Sequence, residues 1–106
     1  MNTIGSITIN GLVYCYGWAD DEDLKGSNDF GFTDYQKQEI CISKSLCDGQ
    51  VERTASHEVT HAVLSAYGWG NVIRFSAEDV CEIVSNLGSE ILRDSKEIAE
   101  KMKKER

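Results

Sequence analysis

The sequence predicts a small α+β domain in which a sheet of three or four short strands packs on two helices. The first half of the chain holds short β-prone segments separated by turn residues, and the second half holds two long stretches with apolar residues at helical spacing. Strands gathered in one part of a chain and helices in another are typical of this class. The length of 106 residues allows one compact domain, residues 1–106, and is too short for two.

The predicted strands lie before residue 44. Residues 6–18 form a predicted hairpin, because Asn10-Gly11 lies between two segments rich in Ile, Val and Tyr. Residues 30–33 and 38–43 form two further predicted strands, and apolar residues alternate with polar ones in the second of them, as in a half-buried strand. Residues 19–29 are rich in Asp, Gly, Ser and Asn and are predicted to be a polar loop.

A first helix is predicted over residues 50–67. Apolar residues recur there every three or four positions, which places them on one face of a helix. Gly68 follows directly and is a suitable C′ residue, because glycine adopts the left-handed conformation that closes many helices.

A second, longer helix is predicted from Ala77 to about Lys103. Ser76 and Asp79 resemble a capping box, with Asp in place of the usual Glu or Gln. The apolar residues of this segment are predicted to form one buried stripe. They are Val80, Ile83, Val84, Leu87, Ile91, Leu92, Ile98 and Met102.

Composition limits the classes of function. The formal net charge is −7, and a nucleic-acid-binding protein needs a basic face for the phosphates, so we expect no nucleic-acid partner. The first nine residues lack the features of a signal peptide, and no apolar run approaches the roughly 18 residues of a membrane span. We therefore expect a cytoplasmic protein with reduced cysteines and no membrane partner. The four cysteines lack paired CxxC spacing, and three lie in apolar stretches, which favours packing roles over a thiolate metal site.

The motif that points to chemistry is His57-Glu58-Val59-Thr60-His61. The two imidazoles are four residues apart on a predicted helix, so they project from one face and can share one zinc ion. In HExxH sites the glutamate acts as general base on the metal-bound water, which assigns that role to Glu58. Two histidines at this spacing can also simply decorate a surface helix. Here they are the only two in the chain, and apolar residues flank them, which favours a metal site.

A catalytic zinc site needs a third protein ligand and an open position. With no third histidine, that ligand has to be Asp, Glu or Cys. The second helix offers acidic residues in its first turns, and of these Glu78 and Glu82 share a face. We interpret Glu78 as the third ligand and Glu82 as a partner for the far nitrogen of a bound imidazole, with the reverse assignment open. The acidic residues also complement the dipole of the helix, whether or not they bind metal.

The segments HEVTHAVL and EDVCEIVSNLGSEIL resemble the gluzincin-type zinc metallopeptidases of the ImmA/IrrE kind, and especially their short phage- and prophage-encoded members. In those proteins a strand similar to DYQKQEICIS precedes the HExxH helix, and the resemblance covers roughly residues 28–95. It implies a minimal zincin-like fold. It also implies that His57, His61 and Glu78 match the zinc ligands and Glu58 the catalytic glutamate. The chain has Cys81-Glu82 where the family usually has Ala-Asn.

The resemblance further implies that the substrate is a protein or peptide, and that the strand over residues 38–43 is an edge strand to which it pairs. Tyr67 and Tyr35 are candidates for stabilising the oxyanion of the reaction. The sequence is also compatible with two other functions. The chain can be a catalytically silent binding protein that keeps the zincin scaffold and acts on a host or phage protein, or it can carry a purely structural zinc site.

Overall fold

The computed structural model describes residues 1–20, 22–24 and 30–106, and its elements follow the predicted order. Strands β1 (Asn2–Ile9) and β2 (Leu12–Ala19) form an antiparallel hairpin. Asn10 and Gly11 have φ angles of 47° and 80°, as expected of the two central residues of a type I′ turn. The hairpin prediction is therefore confirmed. Most of the predicted polar loop, residues 21 and 25–29, lies outside the described residues.

The sheet is mixed, with strand order β1-β2-β4-β3. Strand β3 (Gly31–Asp34) pairs antiparallel with β4 (Glu39–Ser43), which itself runs parallel to β2. The strand predictions over residues 30–33 and 38–43 hold to within one residue. The expectation that residues 38–43 form an edge strand is wrong, because β4 has a neighbour on both sides. The edge strand on this side of the described sheet is β3.

Strand β4 is also more buried than its alternating sequence indicates. Ile40 and Ile42 are buried on one face, and Cys41 and Ser43 are buried on the other. A small cluster made by Ala19, Leu24 and Cys41, with Met1 and Phe32 against it, covers that second face. The alternation of apolar and polar residues predicted a half-buried strand, because it does not show that a second cluster covers the other face.

Helix α1 (Asp48–Ala66) begins two residues before the predicted start and ends one residue before the predicted end. Its apolar face lies in the main core against the sheet, and this face is made by Val51, Ala55, Val59, Ala62 and Val63. Gly68 has a φ of 88°, which confirms it as the residue that closes the helix. The side-chain amide of Asn10 donates to the carbonyl oxygen of Ala66 at 2.9 Å and joins the hairpin turn to this end of α1.

Helix α2 (Ala77–Lys104) starts with the predicted capping box, in which Ser76 and Asp79 exchange side-chain and backbone hydrogen bonds. It runs antiparallel to α1, because Lys103 pairs with Glu52 near one end and Tyr67 donates to Glu90 near the other. Since α2 has 28 residues and α1 has 19, the first turns of α2 extend beyond α1.

This overhang corrects the predicted stripe of α2. Leu87, Ile98 and Met102 are buried as predicted. Val80 and Val84, on the overhang, are 50% and 63% exposed, and Leu92 is 71% exposed although it lies alongside α1. Helical periodicity identifies an apolar face, but it does not indicate how far the neighbouring helix reaches along it.

The interpretation of the cysteines as buried packing residues is corrected as well. Cys41 is buried, Cys15 is half-buried, and Cys47 and Cys81 are exposed.

Asp94 is a buried carboxylate on α2 that the stripe prediction missed. It is 5% exposed, Oδ1 accepts a hydrogen bond from Arg93 Nε at 3.3 Å, and Oδ2 has no partner among the described residues. Burial is the main cause that raises the pKa of Asp94, with the nearby charges of Glu90 and Glu97 adding to it and Arg93 opposing it. The ionised carboxylate therefore destabilises the folded state at neutral pH.

We expect Asp94→Asn to increase the free energy of unfolding at pH 7 by about 1–2 kcal/mol, because a neutral amide costs less to bury than a carboxylate. A raised folded-state pKa means that the destabilisation is complete above that pKa. It disappears as the pH falls through that pKa towards the ordinary value of 3.8. Urea unfolding of both proteins across this range measures the difference. A variant that is less stable than the wild type at pH 7 contradicts the prediction.

Candidate functional site

Helix α1 brings the two histidines together on its solvent-exposed face. The Nε2 atoms of His57 and His61 are 3.2 Å apart, and the rings are edge to face, with centroids 4.8 Å apart and an interplanar angle of 78°. Both side chains are exposed at the wall of a shallow groove that also includes Arg53 and Leu64. The spacing therefore directs both imidazoles to one point, as expected for residues one turn apart.

The distance between the two nitrogens is suited to one shared metal ion. Two nitrogen ligands that lie about 2.0–2.1 Å from zinc at the tetrahedral angle are about 3.3–3.4 Å apart. The observed 3.2 Å is close to that value. Histidine Nε2 is also among the donor atoms that zinc prefers. The pair thus fits two of the four positions of a tetrahedral zinc site.

Glu58 lies between the histidines in sequence but points to the interior. It is 6% exposed, and Thr33 on β3 donates its hydroxyl to Glu58 Oε1 at 2.9 Å, with the Glu58 carbonyl oxygen also in reach at 3.1 Å. Oε2 has no protein partner among the described residues. Glu58 and His57 together line a cleft of about 410 Å³ between α1 and the edge strand β3, with Phe30, Gly31, Gln50, Arg53 and Thr54.

Strand β3 packs closely against both β4 and α1 at this cleft, which a glycine permits. A Cβ atom on Gly31 would lie 2.5 Å from the carbonyl oxygen of Cys41 and 3.0 Å from Thr54 Cγ2. The 2.5 Å contact would force β3 away from β4, and the 3.0 Å contact with α1 would be tight. Gly31 therefore allows β3 to lie against the helix, and two residues later Thr33 reaches Glu58.

The structure does not bring the predicted third ligand to the histidine pair. Glu78 and Glu82 are exposed in the first two turns of α2, on the overhang beyond α1. They precede Glu90 by twelve and eight residues, or about 18 Å and 12 Å of helix, and Glu90 already contacts Tyr67, beyond the end of α1. Within residues 1–20, 22–24 and 30–106, no three His, Cys, Asp or Glu side chains form a group suited to one metal ion.

The two tyrosine candidates differ in position. The Tyr67 hydroxyl donates to Glu90 Oε2 at 2.9 Å, so it is engaged with α2, and this hydrogen bond is the main cause that raises the pKa of Tyr67. Tyr35 follows β3 and is 49% exposed. Its pKa is raised first by partial burial and second by the negative charge of Glu58, so Tyr35 is the tyrosine within the electrostatic range of Glu58.

Two residues of the site were missed from the sequence: Arg53, which lines the cleft, and Thr33, which donates to Glu58. Arg53 precedes His57 by four residues, so its position on the histidine face was readable from the same spacing that identified the pair. Thr33 carried no comparable signal, because it is one polar residue in a short strand 25 positions away from Glu58.

Comparison of the chain with protein-family models, with curated proteins and with solved structures found no match. The resemblance to the ImmA/IrrE-type peptidases therefore stays a prediction from the motif and its neighbouring segments. In the part of the chain that the structure describes, no helix is both long and apolar enough to cross a bilayer.

Proposed function

We propose that the protein is a zinc-dependent metallopeptidase of the HExxH type with a zincin-like domain. The observation that carries this proposal is the 3.2 Å separation of His57 Nε2 and His61 Nε2, beside a cleft that His57 and Glu58 both line. A metal-binding pair and a carboxylate held next to it are the parts that metal-assisted hydrolysis requires.

Each residue has a separate role in the proposed reaction. His57 and His61 would hold the ion through the ring-nitrogen lone pairs of their Nε2 atoms. Zinc, when bound there, acts as a Lewis acid and makes water more acidic. Glu58 would accept the proton of the attacking water through Oε2, the oxygen to which Thr33 does not donate. Because Glu58 is largely buried, its carboxylate is shielded from bulk water and acts in a setting of low dielectric.

The cleft is suited to an extended peptide. Strand β3 pairs with β4 on one side, and the described sheet continues no further on the other. A peptide can add to such an edge by backbone hydrogen bonds. Phe30 and Arg53 line the same cleft and offer an apolar and a cationic contact to substrate side chains. The substrate is thus proposed to pair with β3, and not with the interior strand β4.

For the third ligand we propose Glu78, with Glu82 as a hydrogen-bond partner of a bound imidazole or as the alternative ligand. Either assignment requires the first turns of α2 and the connection over residues 67–76 to approach α1 more closely than they do in this structure. Both carboxylates are exposed, and neither has a hydrogen bond or an ion pair with another described residue.

We expect Glu78→Ala to weaken zinc binding more than Glu82→Ala does, since a lost ligand costs more than the 10- to 100-fold typical of an outer partner. Competition with a chromophoric chelator measures both affinities. Glu100→Ala is the matched control, because it removes an exposed acid from the same helix. The opposite order assigns Glu82 as the ligand. Unchanged affinity in both variants contradicts a ligand from this helix.

A second candidate function is that of a catalytically silent binding protein. It is favoured because, among the described residues, no acidic side chain joins the histidine pair as a third ligand. A silent scaffold that binds a partner protein needs no complete metal site. It predicts that the biological effect survives Glu58→Gln and is lost when surface charges are reversed.

The test of the peptidase proposal is metal-dependent cleavage. Protein loaded with one equivalent of zinc is incubated with a peptide library derived from a denatured proteome, and new peptide termini are identified by mass spectrometry. We expect termini that require the enzyme and disappear when a chelator is added. A protein that binds zinc and generates no new termini from the library rejects the peptidase and leaves the scaffold function.

A further inference from the structure

The carboxylate of Glu58 has one partner in the described structure, the hydroxyl of Thr33. We infer that Thr33 is a positioning residue for the general base, an inference that rests on the proposed peptidase function. Its hydrogen bond to Oε1 orients the carboxylate and leaves Oε2 without a protein partner among the described residues, beside the cleft that Glu58 lines. Thr33 does not touch the metal ligands and takes no part in bond making.

Burial makes this single hydrogen bond important. The side chain of Glu58 has three rotatable bonds, and at 6% exposure little water is available to replace a lost partner. Hydrogen bonds to charged groups are among the stronger ones in proteins. Without the Thr33 hydroxyl the carboxylate samples other rotamers, and a smaller fraction of the molecules holds Oε2 at the cleft.

The backbone holds Thr33 in place for this contact. Antiparallel pairing to β4 aligns Thr33 with Ile40, a fully buried residue, so the strand is anchored at this position. The close approach that Gly31 allows brings the strand near enough for the Thr33 hydroxyl to reach both the side chain and the carbonyl oxygen of Glu58. The strand that borders the substrate cleft therefore also orients the base.

We expect Thr33→Val to lower kcat by about 10- to 100-fold, the range that corresponds to losing a hydrogen bond to a charged group. KM and zinc affinity are expected to stay at their wild-type values. Thr33→Ser keeps the hydroxyl and restores kcat. Thr8→Val, on the opposite edge strand, is the matched control and is expected to leave kcat unchanged. A merely structural role predicts instead that kcat follows the free energy of unfolding in all three variants.

A second readout requires neither metal nor activity. In the metal-free protein at neutral pH, the side-chain carboxyl ¹³C resonance of Glu58 is expected to move in Thr33→Val and to stay at its wild-type position in Thr33→Ser. If Thr33→Val does not fold, Thr33→Ala replaces it in both experiments.

The outcomes separate this inference from the proposed function. If the wild type cleaves peptides and a folded Thr33→Val cleaves them equally fast, only the positioning role of Thr33 is overturned. A wild type that neither binds zinc nor cleaves overturns the peptidase, and the positioning role with it. An unmoved Glu58 resonance in Thr33→Val rejects the hydrogen bond itself.

Discussion

Glu58→Gln is expected to lower the rate of peptide hydrolysis by about 10²- to 10⁴-fold while the protein still binds one zinc ion. The substitution keeps the size of the side chain and one carbonyl oxygen, so Thr33 can still donate to it. The amide has no basic oxygen to accept the proton of water. Because Glu58 is not a proposed ligand, the affinity for zinc is expected to change little. Steady-state cleavage of an identified peptide and zinc titration of the same samples measure the two quantities.

The matched control for this variant is Glu52→Gln. Glu52 lies on the same helix, pairs with Lys103 on the surface and is not part of the cleft. Its neutralisation tests whether loss of any negative charge from α1 reduces activity, and we expect wild-type rates. If the Glu58→Gln variant retains full activity, Glu58 is not the general base.

His61→Ala and His57→Ala are each expected to weaken zinc binding by more than about 100-fold, because either change removes one of the two imidazole ligands. Loss of a residue that only hydrogen-bonds to a ligand already costs up to about 100-fold, and loss of the ligand itself costs more. The fold should persist, since both rings are exposed and neither belongs to the core. Competition with a chelator of known affinity gives the dissociation constants, and circular dichroism confirms the helical content.

Ser56→Ala is the matched control for the histidine variants. Ser56 is exposed, immediately precedes His57 on α1 and offers no ligand that zinc prefers. We expect it to bind zinc as the wild type does. If both histidine variants bind as tightly as the wild type, the ion is held elsewhere, and the site proposed on α1 is rejected.

The parts of the fold that were predictable are those set by short segments. Asn10-Gly11 specified the hairpin turn, the Ser76–Asp79 capping box marked the start of α2, and Gly68 marked the end of α1. The interior position of β4 was not predictable, because it depends on a parallel pairing between segments that are distant in sequence. The uncovered part of α2 was missed for a similar reason, since it depends on the offset between two helices of unequal length.

The same distinction applies to the site. The convergence of His57 and His61 follows from one turn of helix, and the structure has the two nitrogens at a spacing suited to zinc. The contact of Thr33 with Glu58 depends on how closely β3 approaches α1, which no local pattern encodes. A third ligand from α2 depends on the path of residues 67–76 and on how far α2 is displaced along the axis of α1. The sequence therefore predicted the convergence of the two imidazoles, and it could not place a third ligand beside them.

The most direct test of the proposed zinc site is a crystal structure of the protein after incubation with zinc, with diffraction recorded above and below the zinc absorption edge. We expect one anomalous peak per chain, about 2.0–2.1 Å from the Nε2 atoms of both His57 and His61, with a carboxylate of α2 completing the protein ligands. A peak at the cysteines or at another acidic surface, with none between the two imidazoles, would contradict the account.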